Sequence, residues 1–186
     1  MDTEFPPSVV SMGYSKTIIT GSMSKAYSLA GIRIGWIASR DQSIIEAVAS
    51  ARDYTTISVS QIDDQIASYA LSNSVLHSLL KRNIELAKIN VALLEEFVRE
   101  HGWLCSWVKP TGGTTAFIKF QKKGKPLDDV QLCIDVIEKT KVMFLPGSKC
   151  FGDDFKGFVR IGFVCETAVL VEALSKLDGY IDEYLS

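Results

Sequence analysis

The chemistry of this chain concentrates in the run Gly21-Ser22-Met23-Ser24-Lys25, with Arg33 eight residues beyond the lysine. Two hydroxyls and a guanidinium near one primary amine suit a ligand that carries both a phosphate and an aldehyde. Serine hydroxyls donate to phosphate oxygens, arginine offers a planar, permanently charged fork, and an amine condenses with an aldehyde to an imine. Each residue also has an ordinary use. A serine can cap a helix, a first-turn lysine can be solvated and an arginine can pair at the surface. None of these uses explains the joint spacing.

A second group lies far downstream: Pro146-Gly147-Ser148, Phe151-Gly152, then Phe158-Val159-Arg160-Ile161-Gly162-Phe163. In a strand, Val159, Ile161 and Phe163 share one apolar face, so Arg160 points the other way beside Gly162, with access to a ligand. The alternative is an arginine paired with a structural carboxylate on a neighbouring element. Trp103, Trp107, Phe117 and Phe120 read as core. Gly112-Gly113-Thr114-Thr115 lacks a P-loop lysine and fits a turn between strands.

Ser22-Met23-Ser24-Lys25, five intervening residues, then Gly31-Ile32-Arg33-Ile34-Gly35-Trp36 resembles the cofactor signature of class I and II aminotransferases, fold-type I enzymes that use pyridoxal 5'-phosphate (PLP). That signature reads S-x-S-K, five residues, then G-x-R-x-G and an aromatic. The resemblance implies that Lys25 is the Schiff-base lysine and proton shuttle, that Ser22 and Arg33 bind the cofactor's phosphate, and that Ser24 assists. It also implies that Arg160, on the strand after the Pro146-Gly147 turn, grips the substrate's α-carboxylate. Tyr54-Thr55-Thr56-Ile57-Ser58 is similar to a region through which some relatives reach a neighbouring subunit's cofactor.

These residues need elements to position them. A β-branched run over 17–20 predicts a buried strand before the serines. Residues 32–37 alternate as a second strand, with Ile32, Ile34 and Trp36 on one face and Arg33 and Gly35 on the other, so that Gly35 leaves the site's wall bare beside Arg33. Helices are expected over 41–52, capped by Asp41, and over 60–71, where Ser60, Asp63 and Asp64 favour the N-terminal end. From 74 to 100 the apolar residues recur every three or four positions, predicting one amphipathic helix about 40 Å long. His101-Gly102 stops it. Strands near 103–108 and 114–120, a helix over 128–140, a strand over 142–145, a Pro146-Gly147 turn, a strand over 158–163 and a helix over 166–184 complete the order.

The fold implied is α/β: the C-terminal part of a PLP-binding large domain over 1–73, then a small α+β domain over 74–186 entered through the long helix. With 186 residues, 47% of them hydrophobic, the chain is long enough to bury a core. A formal charge of −2 offers no basic face for nucleic acid. Four cysteines without C-x-x-C spacing and two scattered histidines suggest free thiols and no metal, in a reducing, cytoplasmic setting. No run is long and apolar enough for a membrane helix, and Met1-Asp2-Thr3-Glu4 carries acids where a signal peptide carries bases.

The resemblance covers only the C-terminal half of the family's chain. The upstream aspartate for the pyridine nitrogen, the tyrosine near the cofactor's oxygen, the stacking aromatic and the glycine-rich phosphate turn have no counterpart here. The expectation is amino-group transfer between an amino acid and a 2-oxo acid, incomplete in the isolated chain. A homodimer partner or another polypeptide would cover exposed strand edges. The alternatives are an inactive remnant serving as an interaction module, or another PLP reaction on an amino acid, such as a lyase or a ring-forming synthase.

Overall fold

A computed structural model describes residues 7–186. The acidic start at Met1-Asp2-Thr3-Glu4 lies outside the described residues, as does Pro6 of the turn-rich opening. The chain divides into two units, Met1–Leu80 and Lys81–Ser186, and the division falls inside one long helix. Helices and sheet alternate through both, as an α/β chain requires.

In the first unit, β1 (Ile18–Ser22) pairs antiparallel with β2 (Gly35–Ser39), Ile18 opposite Ser39 and Ser22 opposite Gly35. Helix α1 (Gln42–Arg52) starts where the Asp41 carboxylate accepts the Ser43 N–H at 3.0 Å, and α2 (Gln61–Ala70) starts where the Ser60 hydroxyl accepts from Asp63 at 3.4 Å. These side chains satisfy donors that the first turn of a helix leaves unpaired. Met23, Ala67 and Ala70 form a small buried core, packed by Tyr27, Leu29, Ile32, Ile34 and Leu79.

The strand expected over 32–37 is corrected here. Ala30–Ile32 form a 3-10 turn, Arg33 takes a left-handed conformation (φ 54°) and the strand begins only at Gly35. Ile32 and Ile34 still pack on the same core. A tight turn thus buries the same two isoleucines that a strand would, because residues spaced by two fall on one side of either.

Helix α3 (Leu76–Glu100) leads into the second unit, followed by β3 (Cys105–Trp107), β4 (Thr115–Lys122), β5 (Lys125–Pro126) and α4 (Asp129–Thr140). Then come β6 (Leu145–Pro146), α5 (Gly147–Phe151), β7 (Phe158–Gly162) and α6 (Thr167–Tyr184). The antiparallel sheet runs β3-β4-β7-β6, with β5 paired to the end of β4. Ile118, Phe120, Val159, Ile161 and Phe163 bury one face of it in a core shared with Leu94, Phe97, Val136 and Leu177. Each such side chain contributes about 1.5–3 kcal/mol of burial.

Three expectations change in this unit. The strand over 142–145 shrinks to Leu145–Pro146, and Pro146-Gly147 opens a helical turn rather than a simple bend. Only glycine fits at 147, because a β-carbon there would lie 2.5 Å from the Phe155 carbonyl oxygen. Trp103 is 51% exposed, and Phe117 lies outside the buried core that Phe120 joins, since alternate residues of β4 face opposite sides.

Candidate functional site

The lysine turn is built by one buried methionine. After β1 ends at Ser22, the ladder continues for one bond, Met23 N–H to the Ile34 carbonyl at 3.0 Å, and the Met23 carbonyl accepts from Leu29 N–H at 3.0 Å. The Met23 side chain is 0% exposed. Its burial holds the turn to the core while Ser22, Ser24 and Lys25 keep exposed or half-exposed side chains.

The Ser22 hydroxyl accepts the Ser24 N–H at 3.1 Å and donates to the Ser24 hydroxyl at 3.0 Å. The Lys25 carbonyl closes the next turn by accepting from Ser28 N–H at 3.0 Å, with Ser28 left-handed at φ 56°. Ser22 opposes Gly35, and Met23 bonds to Ile34, so Ser24 and Arg33 are the next positions on the two chains as they part. Arg33 is exposed, and its Nη1 donates to the Ala30 carbonyl at 2.9 Å. That bond occupies one of five donors and leaves the rest of the fork for an anion.

Gly35 does not share a strand face with Arg33. A β-carbon on Gly35 would lie 2.8 Å from the Gly21 carbonyl oxygen, so its role is close approach of β2 to β1. Gly21 answers a second crowding, since a β-carbon there would fall 2.2 Å from the Trp36 ring. Gly21 lets the indole lie across β1, and a groove bordered by Thr20, Arg33, Trp36, Arg52 and Thr55 runs alongside. Two hydroxyls and an amine stand on one turn, and Arg33 leaves the ladder beside it; these side-chain types suit a phosphate and an aldehyde such as PLP carries.

Arg160 belongs to the second unit, at the middle of β7 and directly across from Phe117 on β4. Its strand neighbours Val159 and Ile161 are buried, and Arg160 is half-buried on the opposite face. Among the described residues no carboxylate or carbonyl pairs with its guanidinium, whose aromatic neighbour is Phe151, 5.8 Å from the guanidinium carbon to the ring centroid.

Two buried polar residues that sequence reasoning passed over hold the surroundings of β7. Asp129, 3% exposed, accepts from Ser148 N–H at 2.8 Å, the Ser148 hydroxyl at 2.7 Å and Gly157 N–H at 3.1 Å. One carboxylate thus clamps both ends of the segment that carries Phe151 and enters β7. Asn90 on α3 donates to the Phe163 and Cys165 carbonyls at 2.9 and 2.8 Å and accepts from the Thr167 hydroxyl at 2.9 Å, fixing the exit of β7. The available signal was the pair Asp128-Asp129 at a helix start. Asp128 caps α4, which leaves the second acid to turn inward.

Burial alone would raise the Asp129 pKa, but the hydrogen bonds from Ser148 and Gly157 outweigh it and hold the carboxyl below the usual aspartate range. A depressed folded-state pKa contributes stability above the unfolded-state pKa and loses it as pH falls through the folded one. Asp129→Ala leaves three donors without their acceptor and is expected to cost about 3 kcal/mol in urea unfolding at neutral pH. The deficit against the parent should shrink in acid. A loss within about 0.5 kcal/mol would contradict the clamp.

Comparison with known proteins places the chain in one family. The family described as Aminotransferase class I and II matches residues 6–177. Capreomycidine synthase of Streptomyces vinaceus is 28% identical over 167 residues, covering 90% of this chain and 41% of the synthase. Aspartate aminotransferase of Thermotoga maritima is 26% identical over 175 residues, covering 93% of this chain and 42% of the enzyme. The crystal structure of a PLP-dependent aminotransferase from Streptococcus suis aligns with a TM-score of 0.82 at 32% identity, over 92% of this chain and 43% of that one. The chain therefore spans about two-fifths of the length of these relatives. It belongs to the class I and II aminotransferase family, whose members are PLP-dependent enzymes.

Proposed function

We propose that this chain supplies the lysine and the carboxylate-binding arginine of a PLP-dependent transfer of an amino group between an amino acid and a 2-oxo acid. The observation that carries the reading is the turn in which buried Met23 leaves Ser22, Ser24 and Lys25 outward, at the end of the ladder from which Arg33 departs. Ser22 and Arg33, with help from Ser24, hold the cofactor's phosphate by charge-assisted hydrogen bonds. The Lys25 amine would hold the cofactor's aldehyde carbon and would carry the proton of the substrate's α-carbon. Arg160 holds the α-carboxylate in a bidentate grip. Bound there, PLP supplies the electron sink for the charge that develops at that carbon.

In this reading residues 1–73 complete a PLP-binding domain and 74–186 form the small domain. Exposed apolar residues of the first unit, Ile62, Tyr69 and Tyr54 among them, favour association with a second copy or another polypeptide. The four free cysteines accord with a reducing cytoplasm. No helix among the described residues is long and apolar enough to cross a membrane.

Transfer is tested by loading the protein with PLP and following oxo-acid formation from an amino acid panel. A product other than the oxo acid would favour the second reading, another PLP-dependent reaction on an amino acid, which the similarity to a protein named as a synthase supports. Absence of any product would favour the inactive remnant.

Arg33 anchors rather than reacts, so its loss should appear in cofactor affinity. Charge-assisted hydrogen bonds contribute about 1.5–3 kcal/mol each. Arg33→Ala is expected to weaken PLP binding at least about tenfold in an equilibrium titration. Equal affinity in variant and parent would refute the assignment.

A further inference from the structure

Arg160 stands beside aromatic rings where an ordinary half-buried arginine would have a carboxylate. Phe117, directly across the ladder and therefore on the same sheet face, meets Phe151 edge-on at 4.9 Å between centroids. Phe155 closes the triangle, 5.4 Å from Phe117 and 5.8 Å from Phe151. Phe151 itself is 40% exposed, more than its packing role alone asks of a large apolar ring. It is followed by Gly152 at φ 99°, ψ 174°, a conformation that glycine adopts without strain, and the segment is tied at both ends to Asp129.

We propose that Phe151 is a positioning residue for Arg160, a platform braced by Phe117 and Phe155 that orients the guanidinium before a substrate carboxylate arrives. The inference rests on the proposed role of Arg160. A carboxylate partner would orient the guanidinium but would also neutralise it and occupy its donors. The face of an aromatic ring attracts the cation while leaving every N–H edge available. An arginine held in this way loses less side-chain freedom when it binds a carboxylate, and that saving appears as affinity.

The test uses the full chain and pyruvate, the simplest 2-oxo acid, titrated against NMR signals of the arginine side chains. Phe151→Leu removes the ring face and keeps an apolar side chain; Phe151→Tyr keeps the face. The apparent Kd for pyruvate is expected to rise about threefold to fivefold in Phe151→Leu and to stay near the parent value in Phe151→Tyr. Phe151→Met gives a second non-aromatic variant should leucine disturb the fold as seen by circular dichroism. Unchanged affinity in the non-aromatic variants, or equal weakening in Phe151→Tyr, overturns the platform role. An Arg160→Ala arm separates the two claims. If pyruvate binds equally well without Arg160, the carboxylate assignment itself fails and the platform falls with it. If only Arg160→Ala weakens binding, the assignment stands and Phe151 is packing alone.

Discussion

Replacing Arg160 with alanine in the PLP-loaded, active protein is expected to lower kcat/KM for an amino acid by about a hundredfold or more. On the proposed role, truncation would leave the substrate's carboxylate without its partner, and breaking such a pair where water is excluded costs about 3–5 kcal/mol. Lysine restores a charge but not the planar fork, so Arg160→Lys should remain impaired. The control is an amine lacking the carboxylate. Its slow reaction should hardly change in Arg160→Ala, because the missing guanidinium never touched it. Equal losses for amino acid and amine would mean that Arg160 holds β7 and not the substrate. The ladder gives that outcome a concrete form, since Arg160 is paired with Phe117 and Leu145 in the sheet.

The second large effect concerns Lys25. Positioned proton transfer contributes typically about 10²–10⁴-fold. Lys25→Ala removes both that transfer and the covalent anchor, so oxo-acid formation should fall by at least about that factor. Its fold should not change. The Lys25 side chain is exposed, and the turn is held by backbone bonds from Met23 and Ser28 together with the buried Met23 side chain. Lys25→Ala is therefore expected to unfold within about 0.5 kcal/mol of the parent, the usual range for a surface change. Loss of activity together with a large loss of stability would remove the chemical interpretation.

How far the chain could be read without its structure differs between the two units. The long helix was plain because its apolar stripe persists over many turns, and α3 spans Leu76–Glu100. Asp41 and Ser60 stood where caps belong, with chemistry that is local in sequence. The sidedness of β7 was legible for a similar reason. Val159, Ile161 and Phe163 are buried on one side, and Arg160 lies on the other.

Residues 30–35 misled because two isoleucines spaced by two match a strand and a tight turn equally well. Only the left-handed Arg33 decides between them, and no side-chain preference announces it. Arg33 consequently turns its Nη1 to the Ala30 carbonyl instead of lying on a strand face with Gly35. Asp129 and Asn90 escaped notice because their partners, backbone groups and one hydroxyl each, lie far away in the chain. Asp129 binds Gly157, and Asn90 binds Phe163 and Cys165. Hydrophobic pattern carries no record of such pairings. The ring cluster beside Arg160 is hidden in the same way, since hydrophobic pattern places Phe117 with the core and carries no sign that its ring meets Phe151.

The most direct test of the central claim is chemical. The purified chain is mixed with PLP, reduced with borohydride, digested and mapped by mass spectrometry. A visible imine absorbance is expected before reduction, with cofactor fixed on one peptide, the one containing Lys25, and the label lost in Lys25→Ala. Label scattered over surface lysines and unchanged by that substitution would contradict it.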